Sequence, residues 1–263
     1  MYLLACLVVF LVAYLVNTTT ISVLYHRGLA HGAVELSPGL RRFTARAGIW
    51  LTGLDPKGWV CMHRRHHAFS DTAQDPHSPV RFGLFGLLLG QLRSYEATLV
   101  GLARGRAEYT SHVEDLEFEI STLNRRGLWY LPYLAHLAIA AAIALPTGYW
   151  LLGAAYFGGI MSHPIEGWIV NALGHAVGGR NFETPDNSRN NLVAALLILG
   201  EGLQNNHHRY PASARFSYRW SEVDPGYAIC RVLEAAGVLA IHRATLIPAP
   251  GGARRPAMST ALD

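Results

Sequence analysis

Charge is scarce in this chain. Only 15% of its 263 residues are Asp, Glu, Lys or Arg, against about 25% in average soluble domains. Cysteine is scarcer still. Cys6, Cys61 and Cys230 are scattered and no CxxC occurs, which excludes a zinc ribbon and a thiolate set for an iron–sulfur cluster. The odd count and irregular spacing argue against disulfides, and Cys61, although next to a histidine-rich stretch, reads as packing. Nothing resembles a serine or cysteine nucleophile, a phosphate loop or a dinucleotide fingerprint. With 51% hydrophobic residues and so little charge, the composition points to a membrane.

Lys and Arg are absent from two stretches, residues 1–25 and 127–170, so all 22 basic residues fall elsewhere. That is the positive-inside pattern, and it assigns 26–126 and 171–263 to the cytoplasmic side. Basic residues that flank apolar runs, rather than forming one polar surface, argue against nucleic acid as a partner. Three stretches are long enough to cross a bilayer, Met1–Tyr25, Leu128–Leu145 and Tyr149–Val170, about 20 residues being sufficient. The first lacks a charged n-region and a small-residue cleavage site, so it reads as a span and not as a cleaved signal. Leu40–Leu54, Phe82–Leu92 and Asn191–Gly202 are too short to cross. Glu108–Arg126 reads as a solvated charged helix and Ala228–Ile241 as an amphipathic one. The expected architecture is an all-α membrane protein with about three transmembrane helices, interfacial helices and a cytoplasmic histidine-rich cap. Residues 1–247 form its single domain and 248–263 a disordered tail.

What the chain has in quantity is histidine in spaced groups. In WVCMHRRHHAFSDTAQDPH, His63, His66 and His67 stand at i, i+3 and i+4, on one face of a helix. Gln204, His207 and His208 (QNNHH) repeat that spacing. His26 and His31 (HRGLAH) lie five apart, about 140° around an α-helix, so they wrap around an ion or the helix loosens at Gly28. Asn171 and His175 (NALGH) add an i, i+4 pair. One histidine alone is usually a satisfied core or surface residue. Eight of the 13 in four spaced groups are different, since each unpaired buried ring nitrogen costs on the order of 1–3 kcal/mol. Neutral imidazole suits iron, zinc and copper, and eight nitrogens are too many for one ion, so two ions are expected. Asp75 and His77 are placed to support ligating histidines, whose second nitrogens need partners. His136, mid-span, reads as a helix–helix hydrogen bond, and Glu166, near the inner end of a span, as a functional candidate.

HRGLAH, HRRHH and QNNHH resemble the three histidine boxes of the membrane fatty acid desaturases in order, spacing and placement relative to the spans. NALGH is similar to that family's additional ligand segment, and DPHSP and the Glu201-Gly202 pair before the third box also resemble it. The resemblance covers roughly residues 10 to 220. It implies two iron ions held by His26, His31, His63, His66, His67, His175, Gln204, His207 and His208, with Asn171 acting through water. It implies Asp75, His77 and Glu201 behind the ligands. It further implies dioxygen as co-substrate and a fatty acyl chain, carried on CoA, ACP or a phospholipid, that gains a double bond, cis and at Δ9 by expectation. No haem or flavin motif is present, so ferredoxin or a cytochrome b-type protein is expected to supply electrons. Gln204 stands where many relatives have His; the Gln form is similar to bacterial members, which implies a bacterial cytoplasmic membrane. A hydroxylase or ketolase on the same scaffold is the alternative, and a redox-inactive metal-binding or transport protein a third. The span before the first box is expected to line the acyl tunnel. Tyr14 lies twelve residues before His26, roughly 18 Å along a helix, with Phe10 one turn further on the same face. In the family the corresponding stretch closes the tunnel.

Overall fold

The computed structural model describes residues 1–242. The expected tail at 248–263 and the boundary at 247 lie outside the described residues. Helix α1 (Tyr2–Thr19) continues without a break into a π-helix, Thr20–Ala30. The combined 29 residues are the one helix, among the described residues, long and apolar enough to cross a membrane. Leu3, Leu4, Leu7, Val8, Leu11 and Val12 are all exposed on it. The π-helical winding answers the His26–His31 question. Each hydrogen bond in such a segment spans five residues, and His31 N donates to His26 O at 3.1 Å. Residues five apart therefore stand one above the other, with the two rings 5.0 Å apart.

Helices α2 (Pro38–Thr52) and α3 (Pro56–Phe69) both begin at proline behind a capping side chain. Ser37 accepts from Leu40 N for α2, and Asp55 accepts from Gly58 N for α3. Gly53, at φ +74°, ends α2 in the left-handed conformation that allows the sharp reversal into α3. The single turn α4 (Pro79–Phe82) leads to α5 (Leu87–Ala103), so the apolar run from Phe82 to Leu92 enters a longer helix than expected. Two more single turns follow, α6 (Ala107–Thr110) and α7 (Thr122–Arg125). The charged helix expected over Glu108–Arg126 is thus not formed. Asp55 Oδ2 instead accepts from Ser121 N at 2.6 Å and Asn124 Nδ2 at 3.0 Å, pinning the stretch to the start of α3.

Helix α8 (Leu131–Thr147) is followed by α9 (Trp150–Ile160) and α10 (His163–Ala176). The expected continuous span Tyr149–Val170 is therefore broken at Met161–Ser162. Pro164 has no N–H to donate to the carbonyl of Ile160, which interrupts the helical hydrogen-bond ladder there and suits the start of α10. Ser162 Oγ caps the broken end by donating to Gly159 O at 2.8 Å. Helices α1 and α8 both pack on α9. The α1–α9 approach is close enough that a Cβ on Gly159 would lie 2.5 Å from Phe10 O. His136 meets its expectation, with Nδ1 2.7 Å from Tyr156 Oη and Nε2 2.6 Å from Trp50 O, tying α8 to α9 and α2.

Three short helices follow: α11 (Leu192–Leu197), α12 (Gln204–Arg209) and α13 (Pro225–Ala235). The amphipathic helix expected to Ile241 stops early because Gly237, at φ +68°, turns the chain. Leu239–Ile241 then forms β2, which pairs antiparallel with β1 (Val34–Leu36), Val34 opposite Ile241. Among the described residues this two-stranded sheet departs from the expected all-helical fold. Its strands share one core with the π-helix, α3 and α13, built on Tyr25, Leu29, Val34, Val60, Cys61, Cys230 and Leu239.

Candidate metal centre

The π-helix, α3, α10 and α12 bring the histidine groups together at the C-terminal end of the long helix. They divide into two sets. His26, His31, His63, His67 and His207 form one, and His66, His175 and His208 the other. Helical geometry makes the division. On α3, His63 and His67 lie four apart and point to the first set, while His66, about 100° from His67, points to the second. On α12 the neighbours His207 and His208 diverge in the same way.

In the five-histidine set the Nε2 atoms converge. His26 and His207 are 3.0 Å apart, His67 and His207 2.9 Å, His63 and His67 3.1 Å, and His31 and His63 2.8 Å. Ligands at right angles around an ion with metal–nitrogen bonds of about 2.1 Å stand about 3.0 Å apart. A proton can sit between one facing pair, but not between every pair where His207 and His63 each face two neighbours. In the three-histidine set, His66 Nε2 lies 3.2 Å from His208 Nε2, and the inward Nε2 of His175 is buried without a partner. These donors fit two metal ions.

Charge and burial agree. Burial is the main influence holding His31, His63, His66, His67 and His207 well below the ordinary imidazole value, and the neighbouring rings add to it. His208 is lowered too, burial outweighing Asp186. Neutral rings are the form that binds metal. Trp59 stacks on His63 at 4.9 Å, and Phe216 lies 4.7 Å from His207 and 5.5 Å from His26, giving one side of the centre an aromatic shell.

The outward nitrogens meet carboxylates. His66 Nδ1 is 2.9 Å from Asp75, His175 Nδ1 2.9 Å from Asp71, and His208 Nδ1 2.7 Å from Asp186. Glu201 Oε2 lies 2.6 Å from His26 Nδ1. Asp75 and Glu201 stand where expected; Asp71 and Asp186 were missed because both lie in loops. Burial, which raises a carboxyl, is outweighed at Asp71 by His175 and at Asp186 by His208, so both sit below the usual carboxylate range. Burial alone dominates at Asp75 and pushes it up. Every ring of the three-histidine set is thus backed by a carboxylate, which fixes its orientation and raises its basicity as a ligand.

Gln204 is buried, and its Nε2 donates to Glu201 O at 2.8 Å, which leaves the amide oxygen as its donor atom toward an ion. It lines an apolar cavity together with Asn171, His66 and His77. His77 is 4.4 Å ring to ring from His66, and neither of its ring nitrogens makes a hydrogen bond among the described residues. Along the long helix this cavity reaches Ile21 and includes neither Tyr14 nor Phe10. Behind His26 sits Arg27, fully buried, its guanidinium 2.9 Å from both Glu201 and Asp224 and 3.8 Å above Phe216. No spacing rule marks that arginine in the sequence.

Comparison with known proteins gives the family. A profile described as fatty acid desaturase matches residues 2–243. "Delta-9 acyl-lipid desaturase 1" of Arabidopsis thaliana is 31% identical over 87% of this chain and 72% of its own length. "Acyl-CoA 5-desaturase AL21" of Anemone leveillei is 30% identical over 84% of this chain and 65% of its own length. "Hex-5-enoyl-[acyl-carrier protein] acetylenase" of Moorena producens is 31% identical over 83% and 67% respectively. With its histidines gathered as two clusters that could hold metal beside an apolar cavity, the chain belongs to the fatty acid desaturases, a family of oxidoreductases.

Proposed function

We propose that this protein is an acyl desaturase with a di-iron centre, introducing a cis double bond into a fatty acyl chain. One observation carries the reading: eight imidazoles divide into two clusters that could each hold a metal ion, and all three rings of the smaller cluster turn their outward nitrogens to carboxylates. His26, His31, His63, His67 and His207 hold one ion. His66, His175 and His208 hold the other, with Gln204 through its amide oxygen and Asn171 through water. Bound there, iron supplies the one-electron redox changes that turn dioxygen against an unactivated C–H bond. In the overall balance the chain loses two hydrogens, a donor gives two electrons, two protons are taken up, and one dioxygen leaves as two waters. The donor is a ferredoxin or cytochrome b-type protein.

The protein's part is placement. Asp71, Asp75 and Asp186 lock the rings of the three-histidine set, and Glu201 does the same for His26. His26, His63 and His66 line the apolar cavity beside Trp59 and Leu92, so a chain lying in it passes both clusters. The acyl carrier, CoA, ACP or a phospholipid, stays outside. The exposed apolar faces of α1, α8 and α9, with Leu11, Leu137 and Trp150 among them, suit lipid. We place three crossings there, the last continuing past its break into α10, with the metal centre on the cytoplasmic side of a bacterial inner membrane. Δ9 is the expected position.

The test is expression in a desaturase-deficient host, with fatty acid analysis locating the double bond and iron counted in the purified protein. Wild type should yield an unsaturated product and two irons per chain. His207→Ala should lose the ion of the five-histidine set and His66→Ala that of the other, each without product. A hydroxylated product, or full activity in either variant, would overturn the proposal.

A further inference from the structure

Along the long helix the apolar cavity stops abruptly. It reaches Ile21, but the next turn, at Thr18, is bridged across. Thr18 Oγ1 hydrogen-bonds with Glu166 Oε1 at 3.0 Å, and Ser162 Oγ hydrogen-bonds with the same oxygen. Glu166 is buried and itself lines the cavity. One further tie seals the same level, Asn17 Nδ2 donating to Ile160 O at 2.8 Å, and a turn beyond it Tyr14 Oη donates to Leu197 O at 2.6 Å. Tyr14 and Phe10 therefore lie beyond the bridge, cut off from the metal centre.

A carboxyl group whose two hydrogen bonds both fall on one oxygen leaves the other for whatever fills the cavity. A hydrocarbon end pressed against it would strip its remaining solvation and return no hydrogen bond, which is unfavourable. We propose that Glu166, bridged to Thr18 and Ser162, is the floor of the acyl cavity and sets how many carbons lie beyond the metal centre. The proposal deepens the desaturase reading and rests on it for the nature of the ligand. The chain ends at the Thr18 level instead of at Tyr14. Those residues are four apart, about 6 Å along a helix at 1.5 Å per residue. An extended hydrocarbon advances about 1.25 Å per carbon, given C–C bonds of about 1.5 Å, so the bridge shortens the pocket by four to five carbons.

The experiment compares wild type with Glu166→Ala, Glu166→Gln, Thr18→Val and Tyr14→Ala, each purified in detergent. Two readouts use one graded series of saturated acyl chains, medium to long: product distribution from a mixture, and competitive binding without turnover. Glu166→Ala should lengthen the longest accepted chain by about four carbons in both readouts, the spacing estimated above. Glu166→Gln, which keeps the polar bridge, should leave the limit in place, and so should Tyr14→Ala alone. Should Glu166→Ala fail to insert, Thr18→Val removes one arm of the bridge and should move the limit the same way. An unchanged limit in the variant that inserts, or a longer limit in Tyr14→Ala alone, overturns the floor. If wild type makes no double bond but still binds chains up to a sharp limit that Glu166→Ala extends, the floor stands and the desaturase reading fails.

Discussion

Asp71 offers the cleanest probe of how the three-histidine set holds its ion. Its Oδ2 lies 2.9 Å from His175 Nδ1 and accepts from Asn187 N at 2.7 Å, while its Oδ1 accepts from Ser78 Oγ at 2.5 Å. It also occupies the left-handed region, at φ +60°. Asparagine tolerates that conformation better than most residues, whereas alanine there would add about 1–2 kcal/mol of backbone strain. In Asp71→Asn the amide oxygen can keep the bonds from His175 and Asn187. The amide NH2 then faces a Ser78 hydroxyl that can turn to accept. Geometry is preserved and the negative charge is lost. Removing such a support from a ligating histidine lowers metal affinity about 10–100-fold. That is about 1.4–2.7 kcal/mol at one ion.

The assay is a chelator titration of the iron-loaded protein, with retained iron counted per chain. Wild type should release both ions over a high chelator range. Asp71→Asn should release one of its two at a concentration 10–100-fold lower, following the affinity loss. Asp115→Asn is the control, because Asp115 is exposed and pairs with Arg64, at 2.6 Å, away from the carboxylates that back the histidines. Identical release curves for Asp71→Asn and wild type would refute the claim that the carboxylate tunes the ion through His175.

The same titration applies to Gln204. Gln204→Leu should weaken only the ion of the three-histidine set, whereas Gln204→His should retain both; unchanged iron in Gln204→Leu would remove Gln204 from the ligands. Arg27→Met should destabilise the fold by about 3–5 kcal/mol, because Glu201 and Asp224 would be left buried without their cation. Thermal unfolding in detergent reads that loss, and a melting temperature within a degree or two of wild type would count against it.

Which parts of this molecule could be read from the sequence follows from what range each signal has. The histidine groups were legible because α-helical spacing is local: four residues bring His63 and His67 to one ion without reference to the rest of the fold. Their partition was legible in principle by the same rule, since adjacent residues such as His207 and His208 point about 100° apart and cannot share one ligand set easily. Reading His63, His66 and His67 as one face of a helix overlooked it. The HRGLAH spacing stayed ambiguous for a different reason. Five residues do not fit an α-helical face, and only the π-helical hydrogen bond from His31 to His26 restores the alignment. Asp71 and Asp186 were out of reach, because a loop carboxylate finds its histidine through tertiary packing, 104 residues away for Asp71 and His175. Glu166 shows the limit most clearly. Sequence position marked it as a polar group near a span end, but whether it meets lipid, metal or substrate depends on Thr18, 148 residues away. The break at Met161–Ser162 aligns them, and Pro164 interrupts the helical ladder there. A proline that disrupts the expected span is thus what brings a carboxylate across the end of the apolar cavity.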